Sequence, residues 1–167
     1  MRVSHCNNAA RLLPILVLLT SMASCGWQLQ GRTPLPEALA VTYVDAKDRY
    51  SDFTRALQEH LRASGARLVS DPLQATVRIR VLRDESGQRV LSISARNTPQ
   101  EYEVFYIVEY AVSGTDGELL PVQRLELTRD YTYDEAAALA KQREQAGLRA
   151  ALARDLAAQV VRRVASL

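Results

Sequence analysis

The residue with the clearest chemistry in this chain is Cys25, which ends the run Met22-Ala23-Ser24-Cys25-Gly26. A thiol behind two small residues, itself preceded by a basic start and an apolar stretch, is placed to accept a lipid. Cleavage before Cys25 would make it the first residue of the mature chain, carrying an S-diacylglycerol and an N-acyl group. Two or more acyl chains give stable membrane anchoring where one gives only marginal binding.

Other chemistry is sparse. Cys6 would leave with the leader, so the mature chain would have no free thiol for a disulfide, a thiolate metal site or a nucleophile. His60 is then the only histidine, too few for a histidine metal cluster and a poor start for a Ser-His-Asp triad. Glu101, Glu103 and Glu109 share a strand face at alternate positions. Adjacent ones would lie about 7 Å apart, at ~3.4 Å per residue, a spacing open to acid and base roles. With no nucleophile, metal ligands or glycine-rich cradle nearby, they read as a solvated face. No catalytic residue and no metal ligand is assigned, and the chain is not read as an enzyme.

The elements that carry these residues follow from pattern. Arg2 and Arg11 flank Leu12-Leu13-Pro14-Ile15-Leu16-Val17-Leu18-Leu19, which suits an export signal and is too short to span a bilayer. Residues 1–24 are therefore read as a removable leader, 25–36 as a lipidated tether rich in Gly and Pro, and 37–167 as one domain. The leader holds two arginines and no acid, so the formal +2 of the whole chain falls to about zero without it. A general polyanion field is unsupported, nucleic acid is not an expected partner, and phosphate binding must come from local cations.

Leu39–Val44 predicts a short strand. Phe53, Ala56, Leu57 and Leu61 recur at helical spacing after Ser51 or Asp52 as cap, and Gly65 ends that helix. Ala75, Val77, Ile79 and Val81 alternate with Thr76, Arg78 and Arg80, which predicts a half-buried strand. Glu85-Ser86-Gly87-Gln88 reads as a turn into a partner strand over Val90–Ala95. After Arg96-Asn97-Thr98-Pro99, the strand Glu101–Ser113 puts Tyr102, Val104, Tyr106, Val108, Tyr110 and Val112 on one face. The tyrosines read as core packing before a ligand platform. Thr115-Asp116-Gly117 turns into Leu119–Tyr133, with Pro121 expected near its start or at an edge. Thr132-x-x-Glu135 reads as a capping box opening a helix of about 33 residues, whose stripe is Leu148, Leu152, Leu156, Val160 and Val164, with Gly147 the place for a bend. The order predicts an α+β fold: two helices on one face of a largely antiparallel, mixed sheet of four to five strands.

Several separated features together resemble one family. Cys25-Gly26-Trp27-Gln28-Leu29-Gln30-Gly31, Arg96 with Glu101-Tyr102, Asp116-Gly117, Tyr131-Thr132-Tyr133-Asp134, and Ala138-Leu139-Ala140-Lys141 with Glu144 look like the lipopolysaccharide-assembly lipoproteins of the LptE family. The resemblance implies an outer-membrane lipoprotein, anchored on the periplasmic side, that plugs the lumen of the LptD β-barrel and assists delivery of lipopolysaccharide to the outer leaflet. Gly26 in place of aspartate agrees with outer-membrane sorting in that resemblance. It also implies lipopolysaccharide-binding roles for Arg96 and Lys141, since phosphate recognition needs cations that water does not fully screen. Arg78 and Arg80 are a weaker pair, read first as the exposed side of an amphipathic strand. No cofactor is expected beyond the acyl groups on Cys25. A different class of function, a lipid-anchored carrier of a small ligand or lipid with no barrel partner, fits the same composition.

Overall fold

The computed structural model describes residues 39–167. The leader, Cys25 and Trp27 lie outside the described residues. The domain contains β1 (Val41–Ala46), α1 (Asp52–Ala63), β2 (Arg67–Leu68), β3 (Val77–Ile93), β4 (Pro99–Gly114), β5 (Gly117–Thr132) and α2 (Ala138–Val164). One sheet holds all five strands in the order β2-β1-β3-β4-β5. β1 runs parallel to β2 and β3, whereas β3, β4 and β5 form an antiparallel meander. The fold is the expected α+β mixed sheet with two helices.

Local chemistry explains the boundaries. The Ser51 side chain accepts from Thr54 N at 3.0 Å and caps α1. Past the helix end, Gly65 takes φ +97°, a conformation that favours glycine. Phe53, Leu57 and Leu61 are fully buried along one side of α1. The α2 stripe is as the spacing predicts, with Leu152, Leu156, Val160 and Val164 buried and Ala153 and Ala157 broadening it. Both helices pack with Val77, Ile79, Val104, Val108 and Val112 in one core. Tyr106 and Tyr110 are buried in it, and Tyr102 packs at its margin.

Three expectations are corrected. No turn forms at Glu85–Gln88: β3 continues through it, because β4 supplies a paired partner as far as Ile93. Gly87 is there for space, since a Cβ would come within 2.6 Å of the Phe105 ring lying across it. The hairpin turn is instead at Ser94–Thr98, with Asn97 at φ +61°. Second, Thr132 does not cap the last helix. The chain stays extended through Tyr133, whose N–H bonds Gln100 O at 2.7 Å, and Asp134 caps a short 3-10 turn over Glu135–Ala137. Third, α2 accordingly has 27 residues and runs unbroken through Gly147. Pro121 sits where β5 slips register against β4, on an edge strand, which removes the need for its missing N–H.

Candidate functional site

Arg96 occupies the tip of the β3–β4 hairpin. Ser94 organises that tip: its hydroxyl pairs with Thr98 Oγ1 at 2.6 Å and accepts from the backbone N–H groups of Arg96 and Thr98. The Arg96 side chain is exposed, and no carboxylate among the described residues pairs with it. An arginine on a hydrogen-bonded turn is a guanidinium held out to solvent at little ordering cost.

Lys141 lies in the first turn of α2. It is half-buried and donates to Glu144 Oε2 at 2.9 Å. Where β5 ends, ahead of α2, Tyr102 of β4 stacks on Tyr131 with centroids 5.7 Å apart and meets the Tyr133 edge at 5.5 Å. The Tyr131 hydroxyl donates to Gln88 Oε1 at 2.9 Å, and its pKa is raised, chiefly by burial. Because Glu101 pairs with Thr132 and Ile93 with Pro99, the hairpin tip and the entry to α2 emerge at the same end of the sheet. The fold therefore brings Arg96 and Lys141 to one end of the domain.

Sequence reading missed the apolar part of that end. Val90, Leu91 and Ile93 at the end of β3 and Leu139 in α2 are all about half exposed or more. In the sequence Leu91, Ile93 and Ala95 alternate with Ser92 and Ser94, as on one apolar face of a strand. Register slips at Val90/Ser92 and Ser92/Ile93 break the alternation there, and such bulges depend on the partner strand. Cations beside exposed aliphatic side chains suit a ligand with both phosphate and hydrocarbon.

Arg78 and Arg80 belong elsewhere. They lie at the opposite end of β3, with thirteen residues or about 44 Å between Arg80 and Ile93 at ~3.4 Å per residue. Arg78 bonds Asp45 Oδ2 at 2.5 Å and covers the Tyr43 ring at 5.7 Å. The carboxylates of β4 are engaged as a solvated face: Glu103 pairs with Arg89, Glu109 lies 3.5 Å from Arg83 and 3.9 Å from Arg124, and Glu101 accepts from Ser92. Arg124 and Arg89 also reach Glu126, and the bond from Arg124 is the largest cause of that carboxyl's lowered pKa. Among the described residues no group of acids, histidines or cysteines is placed to hold a metal, and no helix is long and apolar enough to cross a membrane.

A sheet covered on one side by two helices, with a laddered ionic surface and a cationic, apolar-flanked end, is the scaffold this chain shares with solved bacterial lipoprotein domains. The fold matches rare lipoprotein B from Shewanella oneidensis with TM-score 0.66 and 28% identity, covering 75% of this chain and 94% of that one. It also matches lipoprotein B from Nitrosomonas europaea with TM-score 0.70, covering 84% and 91%, where 24% identity speaks for the fold alone. Over residues 39–164 the chain matches the model of LptE, lipopolysaccharide-assembly, and it belongs to that family. The LPS-assembly lipoprotein LptE of Yersinia enterocolitica is 30% identical over 92% of this chain and 73% of its own length. That of Pectobacterium atrosepticum is 29% identical over 93% and 84%.

Proposed function

We propose that this protein is a lipid-anchored assembly factor of the outer membrane, which seats inside an LptD-type β-barrel from the periplasmic side and handles lipopolysaccharide on its way to the outer leaflet. The observation that carries the reading is family membership across the whole described domain. The anchor is the diacylglycerol and N-acyl modification of Cys25, and no other cofactor takes part.

Lipopolysaccharide contact is assigned to the end that presents Arg96 and Lys141. Arg96 meets a phosphate without giving up a protein partner; Lys141 exchanges Glu144 for it. Charge-assisted bonds of this kind contribute about 1.5–3 kcal/mol each, roughly one to two decades of affinity. The neighbouring Val90, Leu91, Ile93 and Leu139 offer acyl chains a dry surface. Arg78 and Arg80 are too distant to join that contact and would act only as a secondary charge.

The test is Arg96→Ser with Lys141→Gln, read by lipopolysaccharide binding at low salt, thermal unfolding and barrel association. The double variant should bind at least tenfold more weakly than wild type and more weakly than either single variant, with unfolding and barrel association unchanged. Unchanged binding would remove the site assignment; lost folding would make the two residues structural.

A further inference from the structure

We propose that the outer edge of β5 is a strand-addition surface whose occupant is the β5 of a second copy, the two strands pairing antiparallel about Leu125. β5 is sixteen residues long and closes one side of the sheet. Its outer main-chain groups meet no main-chain partner among the described residues. Sheets ordinarily blunt such edges by shortness, proline, bulges or lysine. The opposite edge follows that rule, because β2 is two residues long. β5 follows it only at its start, where Pro121 lies, the register slips against β4, and the Gln123 side chain donates to Pro121 O and Val122 O at 3.2 Å. From Gln123 to Thr132 the pairing with β4 is regular, and the strand there contains no proline, glycine or lysine.

Main-chain parity fixes what the edge offers. The Tyr133 N–H bonds Gln100 O, and hydrogen-bonded pairs alternate along an antiparallel ladder, so Tyr131, Arg129, Leu127 and Leu125 direct their main-chain groups at β4. Arg124, Glu126, Thr128 and Asp130 direct theirs outward, and all four are exposed. A second β5 must therefore pair even-numbered residues with even-numbered ones. Pairing about Leu125 sets Arg124 opposite Glu126 of the second copy and Glu126 opposite its Arg124, so opposite charges face each other at both positions. Within one chain Arg124 and Glu126 already lie 2.9 Å apart, so two neutral pairs join into a ring of four charges and no lone charge is covered. The two Leu125 residues meet as a non-hydrogen-bonded pair, the closer kind, and each is only partly buried in its own chain. Val122, 58% exposed, comes opposite Thr128. Pairing about Leu127 would leave Glu126 opposite the neutral Thr128. Any extended chain could meet the main-chain groups; the self-complementary order of charges about Leu125 selects a second copy.

This surface does not rest on the function proposed above, and its test uses neither lipopolysaccharide nor a barrel. The purified protein is sedimented alone, in mild detergent with micelles in excess, and should show a reversible monomer–dimer equilibrium. Thr128→Pro removes one outward N–H and none of the bonds to β4, so it should weaken dimerisation at least about tenfold with the unfolding temperature little changed. Arg124→Glu and Glu126→Arg should each weaken it at least about tenfold, by setting like charges opposite one another. An equal mixture of those two variants should recover the dimer, because every opposed pair then again has opposite signs. Leu125→Cys should form an interchain disulfide under mild oxidation, whereas Leu127→Cys should not exceed wild type, its counterpart lying too far along the strand. The mass of one chain at every concentration between about 1 µM and about 1 mM overturns the proposal. A dimer that survives both charge reversals, or a mixture that recovers nothing, overturns it as well, whether or not Thr128→Pro folds. Cross-linking through Leu127→Cys in place of Leu125→Cys overturns the register.

Discussion

The hydroxyl of Tyr106 joins three elements that are distant in sequence. It donates to Asp84 Oδ1 at 2.8 Å and accepts from Phe53 N at 3.2 Å, while the α1 cap Ser51 donates to the other oxygen of Asp84. Burial, followed by the bond to Asp84, pushes the phenol pKa well above its ordinary value of 10.0. A group whose pKa is raised on folding contributes stability below its unfolded pKa and loses it as pH rises through the folded one. Tyr106→Phe should therefore cost about 1–3 kcal/mol at pH 7, by leaving Phe53 N–H and Asp84 without that partner. The deficit should narrow above about pH 10, where wild type begins to lose the contribution. Urea unfolding at pH 7 and pH 11 measures both; a deficit that is constant or widening contradicts the account. Cys25 is tested differently. If Cys25 is the lipid-attachment residue proposed above, Cys25→Ala removes both the acyl acceptor and the cleavage determinant, so intact mass and fractionation should show uncleaved or mislocalised precursor. Mature protein of unchanged mass that still sediments with membrane would refute the assignment.

Among the elements, α2 was readable because its signal is internal: an apolar residue at every fourth position fixes the buried face without reference to any partner. Leu156, fully buried on that stripe, should cost about 2–5 kcal/mol when changed to Ala, measured by denaturant midpoint. A loss under about 1 kcal/mol would mean that α2 is not packed as described. The path of β3 was not readable, because Glu85-Ser86-Gly87-Gln88 has turn composition and only the sixteen-residue β4 beside it decides for a strand. Register slips near Val81, Val90 and Ser92 belong to the pairing as well, so the exposure of Leu91 and Ile93 could not be read from alternation. The helix cap shifted from Thr132 to Asp134 for a similar reason: the backbone bond of Tyr133 to Gln100 extends β5 past the capping pattern. Arg96 and Lys141 stand out in the sequence through the family resemblance alone. Their common end of the domain depends on which ends of β3, β4 and β5 coincide, which is topology.

The molecule as a whole divides its sheet between two uses. One face is filled by α1 and α2; the other carries an ionic ladder from Arg83 through Glu109, Arg124, Glu126 and Arg89 to Glu103. Such exposed pairs add little stability individually, but they make a polar surface whose charges are largely met by one another. That surface suits the inside of a wide β-barrel, which is polar, better than it suits lipid. The proposed function requires a barrel partner, whereas a tethered small-ligand carrier does not. Extraction of native membranes in mild detergent, purification through an affinity tag on this chain and mass spectrometry of the eluate distinguish the two. A large β-barrel of the LptD type should co-elute in near-equal amount and persist through a salt wash. Recovery of this chain alone, from cells that express that barrel normally, would contradict the plug assignment.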